Sequence, residues 1–161
     1  MTVKEYNKCV DDHADGVYRF ILKNIKDVEI ARDIVQDAFA KMWEKVKDIS
    51  GEKAKSYLFT AAYHTMIDNV RKSKRMTNTD DISQFDQGHE SGYSDLKEIL
   101  DEAVGQLPDI QRSVLLLRDY EGYSYKEIGE ITNLNEPQVK VYIYRARTFM
   151  KNYLVSMDKV V

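Results

Sequence analysis

The chain has 161 residues, of which 24 are basic and 27 acidic, so its net charge at neutral pH is −3. Apolar residues make up 43% and charged residues 32%, a balance that excludes disorder throughout the chain. At roughly 100–200 residues per domain, the length allows one domain or two small ones. The near-neutral total argues against a nucleic-acid partner unless charge is unevenly distributed along the sequence.

Several classes of protein are excluded. The single cysteine, Cys9, allows no intramolecular disulfide, fits a reducing compartment and is expected to be a small apolar residue of a helix. His13, His64 and His89 stand far apart and form no zinc-ligand pair, so we expect no metal and no cofactor. No glycine-rich phosphate loop or catalytic set is recognisable, which leaves open only a catalytic pair formed in space by residues distant in sequence. We expect a cytoplasmic protein without membrane insertion, because no secretory or membrane-spanning run is present.

Apolar residues recur at spacings of three and four over the first 75 residues, which predicts three helices. The first carries apolar residues from Val3 to Ile21. Asp27 is a good N-cap for the second, and Glu29 follows in its first turn, where the helix dipole favours an anion. Gly51 interrupts the pattern before a third helix over residues 54–75, which is apolar on two faces and is therefore expected at the centre of a bundle.

Residues 76–95 differ in composition from their surroundings. They carry five carboxylates and no Lys or Arg, together with glycines and small polar residues. This composition predicts a flexible acidic linker. Since the whole chain carries −3, the remainder carries +2.

Helical spacing resumes at Leu96, is broken by Pro108 and continues in a helix that ends near Gly122. Ser124 with Glu127 forms a capping box for a short helix over residues 125–132. The following asparagines favour a tight turn, and a last helix starts at residue 136 with a proline in its first turn. The positions of this helix expected to face inward are Val139, Ile143, Ala146 and Met150.

No strand pattern is present, so the elements predict an all-α fold. We expect two small helical domains, residues 1–75 and 96–161, joined by the flexible acidic linker over residues 76–95. The sequence does not determine how the two domains are placed relative to each other.

The C-terminal domain has the pattern of a helix-turn-helix unit. Gly129 lies where its two helices approach each other. Residues 138–151 include four basic residues and no acid, and the outward face of this second helix includes Val141, Tyr144 and Arg145. A basic outward face favours insertion in the major groove of DNA, and an ordinary helical hairpin is the alternative.

Two further surfaces have open interpretations. Residues 71–75 include four basic residues at the end of the third helix, near Tyr63 and His64. They either complement the helix dipole or contact phosphates beside aromatic rings that stack on unpaired bases. The outer face of the second helix is acidic, which favours a solvated or protein-binding surface over a nucleic-acid one.

In this order, the three patterns resemble the sigma factors of bacterial RNA polymerase, in the short extracytoplasmic-function class of the sigma-70 superfamily. Residues 31–43 are similar to the polymerase-binding helix of that family, residues 57–75 to the helix that melts and reads the minus-ten element, and residues 107–147 to the domain that reads the minus-thirty-five element. The family positions matched in the first of these are Asp33, Ile34, Val35, Gln36, Asp37, Phe39 and Trp43.

The resemblance implies contacts for each surface. Implied polymerase contacts are Asp33, Gln36, Asp37, Ala40 and Glu44. Implied contacts to the minus-ten element are Tyr63, His64, Asp68, Asn69, Arg71, Lys72, Lys74 and Arg75. Implied contacts to the minus-thirty-five element are Asn135, Glu136, Pro137, Gln138, Lys140, Val141, Tyr144, Arg145 and Arg147.

The resemblance also implies that this chain is not itself an enzyme: core RNA polymerase performs the chemistry, and this chain directs it to promoter DNA. The linker would pass through the polymerase, where its carboxylates mimic nucleic acid, and an anti-sigma factor would hold the chain inactive. This chain departs from the family at His64, where Asn is common, at Pro137-Gln138, where small residues are common, and at Val141, where Ser is common. Val141 is suited to contact a thymine methyl group.

Two rival functions remain. A stand-alone helix-turn-helix repressor or activator would explain the C-terminal half but not residues 31–43. An adaptor made of two helical modules would make no DNA contact, and the basic bias of residues 138–151 argues against it.

Overall fold

The computed structural model describes residues 1–76 and 95–160, and these form α-helices with no strand. The helices are α1 (Val3–Ile25), α2 (Val28–Glu44), α3 (Ala54–Met76), α4 (Asp95–Gln106), α5 (Asp109–Leu115), α6 (Tyr125–Thr132) and α7 (Glu136–Val160). Short 3-10 turns at Val46–Asp48 and Gly51–Lys53 connect α2 to α3. The all-α prediction is confirmed, whereas most of the predicted linker, residues 77–94, lies outside the described residues.

The N-terminal unit, residues 1–76, is a bundle of α1, α2 and α3. Asp27 caps α2 as predicted, because its carboxylate accepts a hydrogen bond of 3.0 Å from the Ile30 backbone N–H. Helix α3 packs against both α1 and α2, with Leu58 and Ala62 fully buried and Phe59 nearly so. The wide apolar arc read from the sequence is therefore the centre of this unit.

The C-terminal unit, residues 95–160, contains the predicted helix-turn-helix. Ser124 and Glu127 form the predicted capping box at the start of α6. Asn133 ends this helix in the left-handed conformation, with φ of 63°. A Cβ at Gly129 would lie 2.6 Å from the Leu134 carbonyl oxygen, so only glycine allows the turn to pack this closely.

One element differs from the expected regular helix. After α5 the chain continues as a π-helical segment over Leu116–Tyr120, in which the Glu121 N–H donates to the Leu116 carbonyl oxygen at 3.0 Å. Leu115, Leu116 and Leu117 are all buried. Three consecutive residues span too wide an arc for one face of a regular α-helix, and the wider π turn coincides with the burial of all three.

The two units pack against each other, a placement that the sequence left open. Helix α6 lies on α3, while α4 and α5 lie on α1. The Phe59 ring of α3 contacts the Tyr123 ring at a centroid distance of 5.3 Å in an edge-to-face geometry. We call this interface between residues 1–76 and 95–160 the docking contact.

Candidate nucleic-acid and polymerase interfaces

The acidic outer face of α2 is exposed as predicted. The residues expected to contact polymerase are all solvent-accessible: Asp33, Gln36, Asp37, Ala40 and Glu44. The opposite face of the helix buries Ala31, Ile34 and Ala38 in the bundle. Burial of this apolar face fixes the orientation of α2, and the helix exposes its polar outer face to solvent.

Asp37 is oriented by its neighbours on this face. Its carboxylate lies 3.2 Å from the Lys41 ammonium, one helical turn away, and Lys41 also donates to the Thr65 hydroxyl of α3 at 2.9 Å. Trp43 was a matched family position but not an assigned contact, and it is 47% exposed while its ring packs edge-on against Tyr6. A large aromatic side chain exposed beside an acidic face is a further candidate for partner binding. The sequence indicates this role for Trp43 because the residue stands at the polar end of the helix.

The residues expected to contact the minus-ten element lie along α3, on one side of the N-terminal unit. His64, Asp68, Asn69, Arg71, Lys72 and Lys74 are exposed, and the Arg75 side chain lies outside the described residues. Tyr63 is instead buried, with 7% of its surface exposed. Burial raises the pKa of its hydroxyl, which remains protonated and uncharged at neutral pH.

The C-terminal unit adjoins this surface. A cavity of about 350 Å³ is lined by Tyr63, His64, Asp68 and Arg71 of α3 and, from the helix-turn-helix, by Asn133, among other residues. The end of α6 therefore lies beside residues of α3 that are expected to contact the minus-ten element.

The outward face of α7 is open in the same structure. Val141 is 45% exposed and Tyr144 72% exposed, and Arg145 is also exposed. The predicted inward residues Val139, Ile143 and Ala146 are buried, whereas Met150 is half-buried. The predicted orientation of the helix is thus confirmed over its first three turns.

Four of the residues expected to contact the minus-thirty-five element also have partners among the described residues of this unit, and one of them, Lys140, lies 5.6 Å from the centroid of the Tyr125 ring. Asn135 and Gln138 exchange side-chain-to-backbone hydrogen bonds of 2.8 and 2.9 Å, forming a capping box at the start of α7. Arg147 binds the Asp119 carboxylate, and this hydrogen-bonded pair raises the pKa of the guanidinium. These side chains fix the position of the helix, whereas Arg145 and Tyr144 project from it.

The docking contact contains polar residues that the sequence did not single out. Arg19 of α1 holds Glu121 with two hydrogen bonds of 3.1 Å, and Lys23 pairs with Asp101 at 3.1 Å. The Asn24 side-chain oxygen accepts a hydrogen bond of 3.0 Å from the Ser113 hydroxyl. These partners are about 80 to 100 residues apart, and no local pattern joins them.

Within the described residues, no helix is long and apolar enough to cross a membrane.

Both halves of the chain match models of one protein family. Residues 9–76 match sigma-70 region 2, and residues 97–150 match sigma-70 region 4. The RNA polymerase sigma factor SigV of Bacillus subtilis (strain 168) is 33% identical over 153 residues, which span 93% of this chain and 91% of that protein. The ECF RNA polymerase sigma factor SigM of the same organism is 34% identical over 157 residues, spanning 94% of both proteins.

Solved structures show the same fold. The sigma factor RpoE in complex with the anti-sigma factor NepR from Bartonella quintana superimposes with a TM-score of 0.80 at 24% identity, covering 94% of this chain and 98% of that one. CnrH in complex with the cytosolic domain of CnrY gives a TM-score of 0.69 at 20% identity, covering 94% and 88%.

Proposed function

The chain belongs to the extracytoplasmic-function class of the sigma-70 family of RNA polymerase sigma factors, and from this premise we propose how its surfaces divide the work of promoter recognition. Sigma factors of this family bind core RNA polymerase, direct it to promoter DNA and are not enzymes. The observation that carries the proposal is the order of two helical units, matched to region 2 and region 4, each with its own exposed polar face.

Region 2 binds core polymerase through the outer face of α2, and α3 contacts the melted minus-ten element. On α2 the exposed carboxylates Asp33 and Asp37 meet the polymerase. On α3, His64, Asp68 and Asn69 lie toward unpaired bases, while Arg71 and Lys72 contact phosphates. Tyr63 lines the same cavity as His64, Asp68 and Arg71 and belongs to this surface, with its ring buried in this structure.

Region 4 reads the minus-thirty-five element through α7. Val141, Tyr144 and Arg145 face the base edges of the major groove, and Lys140 contacts the flanking phosphates. Asn135 and Gln138 position the start of the helix through their capping box and reach the backbone of the DNA from there. Residues 76–95 connect the two regions through the polymerase.

An anti-sigma factor controls this chain. The complex of the chain with RNA polymerase acts in the cytoplasm. Two solved proteins of this fold, RpoE and CnrH, carry partner proteins in their structures, and that of RpoE is an anti-sigma factor. Their similarity to this chain over 94% of its length supports a surface able to accept such a partner.

Reconstituted transcription tests the proposal. The full chain is added to sigma-free core polymerase, and transcripts are mapped from a library of genomic promoters, with a sigma factor of known promoters as the positive control. Promoter-specific initiation that depends on the chain is the expected result. Its absence under conditions where the control initiates would refute the proposed function, and specific duplex binding without polymerase would favour a stand-alone DNA-binding regulator.

A further inference from the structure

The start of α6 carries an aromatic ring that two basic side chains share. Tyr125 is the first residue of this helix, and its half-buried ring packs against the core. The Arg118 guanidinium lies 4.6 Å from the centroid of the ring, and the Lys140 ammonium lies 5.6 Å from the same centroid. Cations within about 6 Å of an aromatic ring are attracted by the negative charge of its face. The Tyr125 ring therefore brings together one cation from the π-helical segment and one from α7.

The backbone that carries this ring is held by the capping box of α6. The Glu127 N–H donates to the Ser124 hydroxyl at 3.1 Å, and the Ser124 N–H donates to the Glu127 carboxylate at 2.9 Å. These bonds fix the first turn of the helix, in which Tyr125 lies. The ring thus occupies a defined place, and the carboxylate of the same turn is engaged by the backbone.

Arg118 is oriented from two sides. It belongs to the π-helical segment Leu116–Tyr120, and its guanidinium donates to the Tyr123 carbonyl oxygen at 2.9 Å while it lies over the Tyr125 ring. Turns of π-helix are rare and are frequent at functional sites. A guanidinium held in this way loses little conformational freedom when it binds an anion.

The two cations at the ring differ from the nearby Arg147 in their charge partners. Arg147 binds the Asp119 carboxylate, which compensates its charge. In the part of the chain that the structure describes, neither Arg118 nor Lys140 forms an ion pair. Two uncompensated cations beside one ring repel each other, and a bound anion relieves that repulsion. The pair therefore has the charge and the arrangement that a phosphate group requires.

The position of the pair indicates which phosphate it meets. Lys140 is exposed and directly precedes Val141, which lies on the outward face of α7 together with Tyr144. The pair is thus at the edge of the surface that the proposed function places in the major groove. Because DNA phosphates border that groove, a cation pair at the edge of the inserted helix meets the sugar-phosphate backbone.

We propose that Tyr125 is a positioning residue, whose ring holds Arg118 and Lys140 as one site for a backbone phosphate beside the minus-thirty-five element. The inference rests on the proposed function, because that function places α7 in the major groove. Tyr125 acts through the two cations, and Arg118 becomes a phosphate contact that the sequence did not single out. A phosphate contact carries no base information, so the site adds affinity and salt dependence without changing which sequence is preferred.

The test measures how binding of the full chain to duplex DNA depends on salt. The probe is a fluorescein-labelled duplex that carries the upstream element of a promoter mapped in the transcription assay, and fluorescence anisotropy gives the affinity over a series of KCl concentrations. Tyr125→Leu removes the ring, so we expect the affinity to fall about three- to tenfold at about 100 mM KCl. The slope of log K against log [KCl] should become shallower by about 1 to 2. Tyr125→Phe keeps the ring and should stay within about twofold of the parent affinity, with the parent slope.

The slope distinguishes a positioning role from a merely structural one. If Tyr125→Leu only unfolded part of the sample, the affinity would fall by one factor at every KCl concentration and the slope would not change. The double variant Arg118→Gln, Lys140→Gln should reproduce the shallower slope, and adding Tyr125→Leu to it should have little further effect. Tyr125→Leu should also keep the ratio of affinities for the intact and an altered element, whereas Arg145→Ala lowers that ratio.

Tyr153→Leu is the matched control, because it removes the same ring from another place in region 4. Its ring lies 6.0 Å from that of Phe149, and its hydroxyl donates to the Glu102 carboxylate at 3.0 Å. We expect this variant to keep the parent slope. An unchanged slope in Tyr125→Leu, or an equal loss in Tyr125→Phe, would overturn the positioning role while leaving the proposed function intact. A chain that directs no promoter-specific initiation would instead refute the proposed function and this inference together, so the two failures are distinguishable.

Discussion

Helices α3 and α7 carry the two proposed nucleic-acid surfaces of this chain, and the two surfaces differ in how their aromatic residues are exposed. Both are long and carry basic residues with aromatic neighbours. On α3 the aromatic residue Tyr63 is 7% exposed, whereas on α7 the aromatic residue Tyr144 is 72% exposed. The proposed minus-thirty-five surface thus presents its aromatic ring to solvent, while the proposed minus-ten surface has exposed polar residues around a buried ring.

This difference separates the two proposed surfaces by what each needs before it can bind. Tyr144 is already accessible to duplex DNA, whereas the Tyr63 ring has to become exposed before it can stack on an unpaired base.

The largest effect is expected from truncating a buried aromatic side chain on α3. Phe59→Ala removes a nearly fully buried ring that contacts Phe20 within region 2 and Tyr123 across the docking contact. We expect the free energy of unfolding to fall by about 3–5 kcal/mol, because the removed ring leaves a cavity. Urea unfolding followed by circular dichroism measures the change.

Tyr144→Ala is the comparison on α7. Since its ring is 72% exposed, we expect the free energy of unfolding to change by no more than about 0.5 kcal/mol. Equal losses in the two variants would show that the α7 face is packed in solution and would contradict the contrast between the helices.

Arg145→Ala tests the open surface directly. An arginine that contacts base edges contributes about 1–3 kcal/mol of discrimination, so recognition of the minus-thirty-five element should weaken by about tenfold or more. Promoter binding by the polymerase complex is measured on templates with and without that element. The variant should retain full affinity for core polymerase, and a loss of that affinity would contradict the division of labour between α2 and α7.

Much of the fold followed from local chemistry. The capping box of Ser124 and Glu127, the cap at Asp27 and the turn at Asn133 each depend on residues within a few positions of one another, and all three are present. Helical periodicity likewise predicted which face of α7 is buried. These features are set by backbone geometry, which the sequence displays directly.

The docking contact was not predictable in the same way. Arg19 and Glu121 are each one charged residue among many, separated by 102 positions. Their pairing depends on how the two units pack against each other, which no periodicity encodes.

Asp37→Lys tests whether the exposed outer face of α2 binds core polymerase. Asp37 is exposed and pairs with Lys41, so reversal of its charge removes a surface carboxylate without disturbing the core. We expect affinity for core polymerase to fall by roughly tenfold, as electrostatic complementarity is lost at the interface. Asp12→Lys, at another exposed carboxylate, is the control, and an unchanged affinity in Asp37→Lys would count against this docking face.

The smallest effect is expected at Tyr123, a region 4 residue that packs against α3 of region 2. Its ring lies against Phe59 and 4.7 Å below the Lys55 ammonium, and its buried hydroxyl has no hydrogen-bond partner among the described residues. Tyr123→Phe removes this unsatisfied group, so we expect the free energy of unfolding to rise by about 1 kcal/mol. Tyr144→Phe, on the exposed α7 face, should change it by less than about 0.5 kcal/mol.

The pH dependence of the free energy of unfolding distinguishes the contribution of the Tyr123 hydroxyl from that of its ring. Burial, and then the nearby carboxylates, raise the pKa of Tyr123 above its usual value of 10.0. The unfolded chain therefore loses this proton first, and stability falls as the pH rises above about 10. Tyr123→Phe should lose less stability between pH 9 and 11 than the parent, by about 1 kcal/mol for each pH unit above 10. Identical alkaline curves for the two proteins would show that the hydroxyl reaches solvent, and that region 4 covers this side of region 2 less tightly than the docked structure shows.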